Sequence, residues 1–253
     1  MTILTIDIGN SVTSICLAQK NEVKPLTHFD TILESDSALL DRRMKAELAQ
    51  LPPDTKGAMM CSVVPKATSI MRNYIKRVSG LTTDVLTVNS PLPIKIGYGT
   101  PEALGTDRIA AVVGAVVLYG APVVAVDLGT AVTVDVVDKN KTFLGGAILP
   151  GPETQALSLV QHTAQLPFVP ADYPPEIGID PESCIRFGIV QGTAGAIDYL
   201  IELIWKHIGQ KTTVVFSGGH GELTAKLSKH QVKFEPSLIA IGLAACYREK
   251  LAL

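Results

Sequence analysis

Short β-branched runs alternate with stretches of helical spacing along the whole chain. The first run covers residues 2–7 and ends at Asp7, residues 12–18 return from the turn Gly9-Asn10-Ser11, and a third run lies near 24–29. Residues 35–51 place Leu39, Leu40, Met44 and Leu48 on one helical face and stop at Pro52-Pro53. The apolar run 57–64 predicts a strand ended by Pro65, a residue suited to the first position of a helix over 65–78. Residues 84–88 predict one more strand, and 91–108, rich in Gly and Pro, a loop. The second half predicts a buried helix over 106–119, strands at 123–128 and 131–137, and a strand over 141–148. A helix to about 162, a helix over 181–208, a strand at 212–216, a helix to about 229 and a closing helix over 237–251 follow. Between them, residues 163–183 contain five prolines (Pro167, Pro170, Pro174, Pro175 and Pro181), an irregular segment of a length that is usually functional or mobile.

The stretch 123–137, Val-Val-Ala-Val-Asp-Leu-Gly-Thr-Ala-Val-Thr-Val-Asp-Val-Val, is strand, tight turn, strand. Asp127 ends the first strand, Gly129 removes a Cβ from the turn, and Thr130 adds a hydroxyl. A carboxylate, open amides and a hydroxyl in one hairpin suit a metal–nucleotide phosphate group. An ordinary hairpin with an Asp at its turn is the alternative. A shift of 120 positions brings Asp7 onto Asp127, Gly9 onto Gly129, Val12 onto Val132 and Thr13 onto Thr133. A repeated phosphate-type hairpin implies a duplicated chain with two similar lobes and a cleft between them.

Composition narrows the class. The 253 residues are 47% hydrophobic, enough for a packed core. The formal net charge of -2 gives no basic field for nucleic acid or an anionic membrane. Cys16, Cys61, Cys184 and Cys246 show neither a CxxC pair nor zinc spacing, so they are expected as reduced, buried thiols of a cytoplasmic protein. The start has no basic n-region, and Asp7 interrupts its apolar stretch, so no signal peptide is expected. Residues 109–126 lack charge for 18 positions, but Gly120-Ala121-Pro122 breaks them, so helix followed by strand fits better than a membrane span.

Two further places carry candidate chemistry. Thr106 or Asp107 could cap the buried helix, and Arg108 could form a surface ion pair. Alternatively the carboxylate accepts a proton and the guanidinium holds an oxygen-rich substrate. Ser217-Gly218-Gly219 stands between a strand and a helix, where a planar ring or phosphate can lie on backbone. His220 is expected at the surface or as a cap.

The first half reads strand, strand, strand, helix, strand, helix, strand, the order of a ribonuclease-H-like lobe of the actin and sugar-kinase superfamily. The expected fold is therefore α/β with two such lobes, 1–115 and 116–253, the second including dimerisation helices. Taken in order, the motifs resemble type III pantothenate kinases. They are Asp7-Ile8-Gly9-Asn10-Ser11, Ser62-Val63-Val64-Pro65, Tyr98 with Gly105-Thr106-Asp107-Arg108, and Asp127-Leu128-Gly129-Thr130-Ala131. Leu144-Gly145-Gly146-Ala147-Ile148, Pro150-Gly151, Thr163-Ala164-Gln165-Leu166-Pro167, Ser217-Gly218-Gly219 and Gly242-Leu243 complete the set.

The resemblance implies transfer of the ATP γ-phosphate to the primary hydroxyl of pantothenate, giving 4'-phosphopantothenate, the first step of coenzyme A synthesis. It implies Asp107 as proton acceptor, with Tyr98, Gly105, Thr106 and Arg108 binding pantothenate. Asp7, Ile8, Gly9, Asn10, Ser11, Val12, Thr13 and Ser14 would hold ATP phosphates, with Thr130, Gly218 and Gly219 also at the nucleotide. Asp127 would bind a monovalent cation, K⁺ or NH₄⁺, and Mg²⁺ would accompany ATP. A cytoplasmic homodimer is implied, with the long helix after the proline-rich loop in its interface. Two positions depart from the family pattern. Pro181 stands where the family usually has a Thr that reaches pantothenate across the dimer, and Gln155 where it tends to have Ser. The alternatives are a non-catalytic regulatory protein of the same fold, like transcriptional accessory factors, and another phosphotransferase or phosphatase of the superfamily.

Overall fold

The structure, a computed structural model, describes residues 1–20, 22–33 and 37–252. The chain divides into two compact units, Met1–Gly120 with Ser237–Leu253, and Ala121–Pro236. The first unit begins β1 (Thr2–Ile8), β2 (Val12–Gln19), β3 (Glu22–Asp30), α1 (Ser37–Ala49), β4 (Thr55–Ser62), α2 (Pro65–Ser79) and β5 (Thr83–Val85). Its sheet has the order β3-β2-β1-β4-β5, with β2 antiparallel to both neighbours and β4 parallel to β1 and β5. Pro25 sits in β3, an edge strand, beside a register shift where a missing N–H is tolerated.

Alternation along β1 gives it two buried faces. Leu4, Ile6 and Ile8 meet Leu40, Met44 and Leu48 of α1 and Met71 and Ile75 of α2 in one core. Thr5 and Asp7 point to the opposite face. The expected first turn of α1 at residues 35–36 lies outside the described residues. Helix α2 starts with Pro65 at its first turn and ends at Gly80, whose φ of 72° is the left-handed cap that glycine adopts without strain.

The expected loop over 91–108 contains a two-residue strand, β6 (Lys95–Ile96), and a 3-10 turn, Pro101–Ala103. Both are too short to leave a periodic signal. Helix α3 (Thr106–Tyr119) follows, buried from Arg108 to Val116. Gly105 occupies its N-cap, so Thr106 and Asp107 are its first helical residues instead of its caps.

The second unit repeats the plan. It contains β7 (Val123–Leu128), β8 (Ala131–Val137), β9 (Thr142–Pro150), α4 (Pro152–His162), α5 (Pro181–Ile208), β10 (Thr213–Ser217), α6 (Gly221–Leu227) and β11 (Lys233–Phe234). The strands run in the order β9-β8-β7-β10-β11, with the same senses as β3-β2-β1-β4-β5. Two sheets of ribonuclease-H-like topology thus stand in one chain. Strand β11 was not expected from the sequence, since two residues carry no alternation. Helix α5 opens with a capping box, in which Asp180 accepts from the Ser183 amide at 2.9 Å. Among the described residues it is the one helix long and apolar enough to cross a membrane. Its Ile197 and Ile201 pack with Val124, Val126 and Val134 of the sheet, as in a core helix.

The closing helix α7 (Leu238–Ala252) belongs to the first unit, whereas the sequence reading placed it with the C-terminal lobe. The reason is a glycine contact. A Cβ on Gly114 of α3 would strike the Leu238 carbonyl, and one on Gly242 would strike the Ala110 carbonyl. Only glycine at both positions lets α3 and α7 approach backbone to backbone. Tyr247 completes the seat, its hydroxyl donating to the Lys56 carbonyl at 3.2 Å.

Candidate active site

In the first unit the candidate residues gather at the C-terminal ends of β1 and β4. Asp7 is the penultimate residue of β1, and its parallel partner in β4 is Cys61. The buried Cys61 thiol donates to Asp7 Oδ1 at 3.2 Å. Burial, then the neighbouring carboxylates of Asp7 and Asp107, push that thiol well above its ordinary pKa, so it stays a donor. One residue on, Ile8 pairs with Ser62, whose amide donates to Thr106 Oγ1 at 3.1 Å. The start of α3 is thereby pinned to the end of β4, and both Asp7 and Asp107 act electrostatically on Cys61.

Asp107 is half-buried, and its Oδ1 accepts from the Arg108 amide at 2.9 Å. A Cβ on Gly105 would lie 2.5 Å from that oxygen, so glycine leaves the carboxylate its room. Arg108 is only 7% exposed and its guanidinium lies over the Tyr98 ring, 5.5 Å from the centroid. A buried guanidinium stacked on an aromatic face keeps its planar donors in a fixed direction. Tyr98, Gly105, Thr106, Asp107 and Arg108 thus form one cluster, with Asp7 near it.

The hairpin that follows Asp7 is braced at its tip. The Gly9 amide donates to the Val12 carbonyl at 2.9 Å, and Thr31 Oγ1 donates to the Gly9 carbonyl at 2.7 Å. Thr13 and Thr31 share a hydroxyl contact at 3.1 Å. Asn10, Ser11 and Val12 are exposed, while Thr13 is buried. Asp7 lies opposite Ser14 across the hairpin.

The second unit holds the matching hairpin. The Gly129 amide donates to the Ala131 carbonyl at 3.0 Å, and the Thr130 carbonyl accepts from the Gly151 amide at 2.9 Å and from Thr154 Oγ1 at 2.6 Å. Asp127 lies opposite Thr133 instead of Val134, so this turn is one residue shorter than the first. The 120-position shift therefore holds on the outgoing strand and slips by one on the return. Ser217, the parallel partner of Asp127, donates to its Oδ1 at 2.7 Å. Gly218 has φ of 83°, and a Cβ there would lie 2.5 Å from the Leu128 carbonyl, so the Gly218-Gly219 bend requires glycine. Asp127, Thr130, Gly218 and Gly219 thus converge on the end of β7. His220 precedes α6, and its Nε2 lies 3.9 Å from Glu153.

Pro181 stands apart from this hairpin. It is exposed at the first turn of α5 and lines an apolar groove of about 760 Å³ with Leu159, Leu166, Ile179, Cys184 and Ile185. Gln155 Nε2 donates to Thr193 Oγ1 at 3.0 Å, which ties α4 to α5. Cys61 and Ser217 are the residues that the sequence reading did not single out as holding the aspartates. Their signal was the sheet register, which pairing across distant strands creates and no local pattern carries.

Comparison with known proteins decides the family. The chain matches the model of the type III pantothenate kinases over residues 3–203. It belongs to that family. It is 35% identical to the type III pantothenate kinase of Dictyoglomus turgidum over 258 residues, covering 98% of this chain and 100% of the relative. It is also 35% identical to that of Methylacidiphilum infernorum over 230 residues, covering 89% and 80%. Among solved structures it is similar to a Baf family protein from Campylobacter jejuni, at TM-score 0.57 and 20% identity, covering 99% and 100%. It is also similar to the activator of 2-hydroxyisocaproyl-CoA dehydratase from Clostridium difficile with bound ADPNP, at TM-score 0.55 and 12% identity, covering 100% and 97%. At those identities the likenesses show the actin and sugar-kinase fold alone.

Proposed function

We propose that this member of the type III pantothenate kinases transfers the γ-phosphoryl group of ATP to the primary hydroxyl of pantothenate, the first step of coenzyme A biosynthesis. The observation that carries the reading is the cluster at the start of α3. Asp107 and the stacked Arg108 stand beside the end of β4, one strand from Asp7. Phosphoryl transfer asks a protein for positioning and charge neutralisation more than for covalent chemistry. Asp107 takes the proton of the attacking hydroxyl as its oxygen bonds to the γ-phosphorus and the bond to ADP breaks. Arg108 and Tyr98, with Gly105 and Thr106, hold pantothenate. In the first unit the amides and hydroxyls of segment 7–14 are assigned to nucleotide phosphates, and in the second unit Thr130, Gly218 and Gly219 are the nucleotide candidates. A regulatory protein without catalysis has no use for Asp7, Asp107, Arg108 and Asp127 together.

Two cations fit the residues present. Mg²⁺ asks for one or two carboxylates beside water and the phosphates of its nucleotide, and Asp7 would be the carboxylate that holds it. Asp127, with hydroxyl and carbonyl oxygens about it, suits a hard monovalent cation, K⁺ or NH₄⁺. When bound, these cations neutralise phosphate charge.

The protein acts as a cytoplasmic homodimer in this reading. Helix α5 buries one face, while Tyr199 and Leu203 are exposed at 60% and 44% and Gly188 and Gly192 have no atom near a built Cβ. Such an open apolar face suits a second copy of the chain. Pro181 on the neighbouring groove offers that copy's pantothenate no hydroxyl. The test is product detection by mass spectrometry from ATP, pantothenate and Mg²⁺, titrated with K⁺, beside sedimentation of the protein. Phosphopantothenate formed by a K⁺-stimulated dimer supports the whole reading. A folded chain that binds ATP and forms none overturns it.

A further inference from the structure

The two hairpins share a feature that lies outside their own sequences. In each unit the hairpin aspartate sits next to a buried side chain on the parallel strand, and that side chain donates to its Oδ1. In the first unit it is Cys61 on Asp7, at 3.2 Å; in the second it is Ser217 on Asp127, at 2.7 Å. The strand positions are equivalent, Asp7 opposite Cys61 and Asp127 opposite Ser217. Both donors are sealed from water, Cys61 at 0% and Ser217 at 2% exposure.

Ser217 shows why this arrangement is more than a satisfied hydroxyl. Its Oγ has a second acceptor in reach, the Val126 carbonyl at 3.4 Å, which would satisfy it without the aspartate. The charged Asp127 Oδ1, at 2.7 Å, is the nearer and stronger acceptor. With Oδ1 engaged there, Oδ2 is turned to the hairpin side, 3.8 Å from where a Gly129 Cβ would stand. The carboxylate is thereby set in one rotation, with one oxygen toward the strand and the other toward the turn.

We infer that Ser217 is a positioning residue for the nucleotide site: its hydroxyl fixes the rotation of the Asp127 carboxylate at the phosphate hairpin, where that carboxylate would hold a cation, and the Cys61 thiol holds Asp7 Oδ1 from the equivalent strand position. The inference rests on the proposed role of the two aspartates. It also explains why one position accepts either a thiol or a hydroxyl. What the geometry asks of that position is a short buried donor, and cysteine and serine both supply one. The chain's own first unit therefore supplies the conservative variant for the second.

The test compares the native chain with Ser217→Ala, Ser217→Cys and Asp127→Asn. Isothermal titration calorimetry measures binding of Mg²⁺ and a non-hydrolysable ATP analogue in K⁺ buffer, without pantothenate. Steady-state kinetics give separate KM values for ATP and pantothenate, and a thermal melt reports folding. Ser217→Ala is expected to bind the analogue about ten-fold more weakly, the low end of a lost hydrogen bond to a charged group. It is expected to need more K⁺ for half-maximal rate and to keep its KM for pantothenate. Ser217→Cys is expected to recover most of the affinity. Unchanged binding in Ser217→Ala, with binding impaired in Asp127→Asn, overturns the positioning role alone. Equal losses in Ser217→Ala and Ser217→Cys, with a lower melting temperature and both KM values raised, make Ser217 merely structural. Unchanged binding in Asp127→Asn overturns the reading of the aspartate itself, and the inference with it.

Discussion

Replacing Gly242 by alanine tests the packing of α7 on α3 by its sign. In an open helix the change is favourable by about 1 kcal/mol, because glycine carries the larger backbone entropy cost. Here the new methyl falls on the Ala110 carbonyl, and 2.9 Å from the Gly114 amide nitrogen. Both are backbone atoms of a buried helix, so no side chain can swing away, and the two helices must separate. Overpacking of this kind costs about 1–3 kcal/mol, and a backbone clash belongs at the upper end. The net expectation is a loss of about 2 kcal/mol once the propensity gain is subtracted. At about 2–4 °C per kcal/mol for a chain of this size, the melting temperature falls by about 4–8 °C. Scanning calorimetry of the native chain and Gly242→Ala reads it directly. A melting temperature that rises by the few degrees propensity alone would give refutes the backbone contact.

Three other expectations follow from the site and the core. Tyr98→Ala removes the ring beneath a buried guanidinium, an interaction of up to about 2 kcal/mol, so the KM for pantothenate rises about ten- to thirty-fold with the KM for ATP little changed; a shift confined to ATP contradicts the assignment. Asp198 is buried and accepts from Ser228 Oγ at 2.6 Å and the Lys229 amide at 2.9 Å. Asp198→Ala strands both donors and costs about 2–4 kcal/mol, read as a lower urea midpoint. The Asp180 carboxyl is held below its ordinary value by the Ser183 amide it caps. A depressed carboxyl stabilises the fold above the unfolded value of about 3.9 and loses that contribution as pH falls through the folded one. Protection of the first amides of α5, corrected for the intrinsic exchange rate at each pH, therefore falls as pH drops below the unfolded value of about 3.9, and Asp180→Asn, which keeps an acceptor, flattens the change.

Much of this molecule was legible in its sequence because the information is local. Asp7-Ile8-Gly9 and Asp127-Leu128-Gly129 announce strand ends and turns through β-branching and glycine, and Pro65, Pro152 and Pro181 mark helix starts. The Asp107-Arg108 pair was legible as candidate chemistry at the start of a buried helix, whereas Tyr98 and Gly105 entered only through the resemblance to the family. What the sequence hid is set by pairing at long range. Cys61 read as an inert thiol because its partner Asp7 lies 54 positions away, and Ser217 sits 90 positions from Asp127. Likewise α7 read as part of the second lobe until the fit of Gly242 against Gly114 placed it on α3. The one-residue slip between the two hairpins is a matter of hydrogen-bond register, which an ungapped comparison cannot express.

Everything proposed for the site turns on Asp107 as the group that accepts the proton in a phosphoryl transfer from ATP to pantothenate. Measuring phosphopantothenate formation by the native chain and by Asp107→Asn, with ATP binding followed in parallel, tests it most directly. Product is expected from the native chain, with kcat lower by about 10²–10⁴ in the variant, the usual worth of a general base, and ATP affinity retained. A variant that turns over at the native rate contradicts the role given to Asp107.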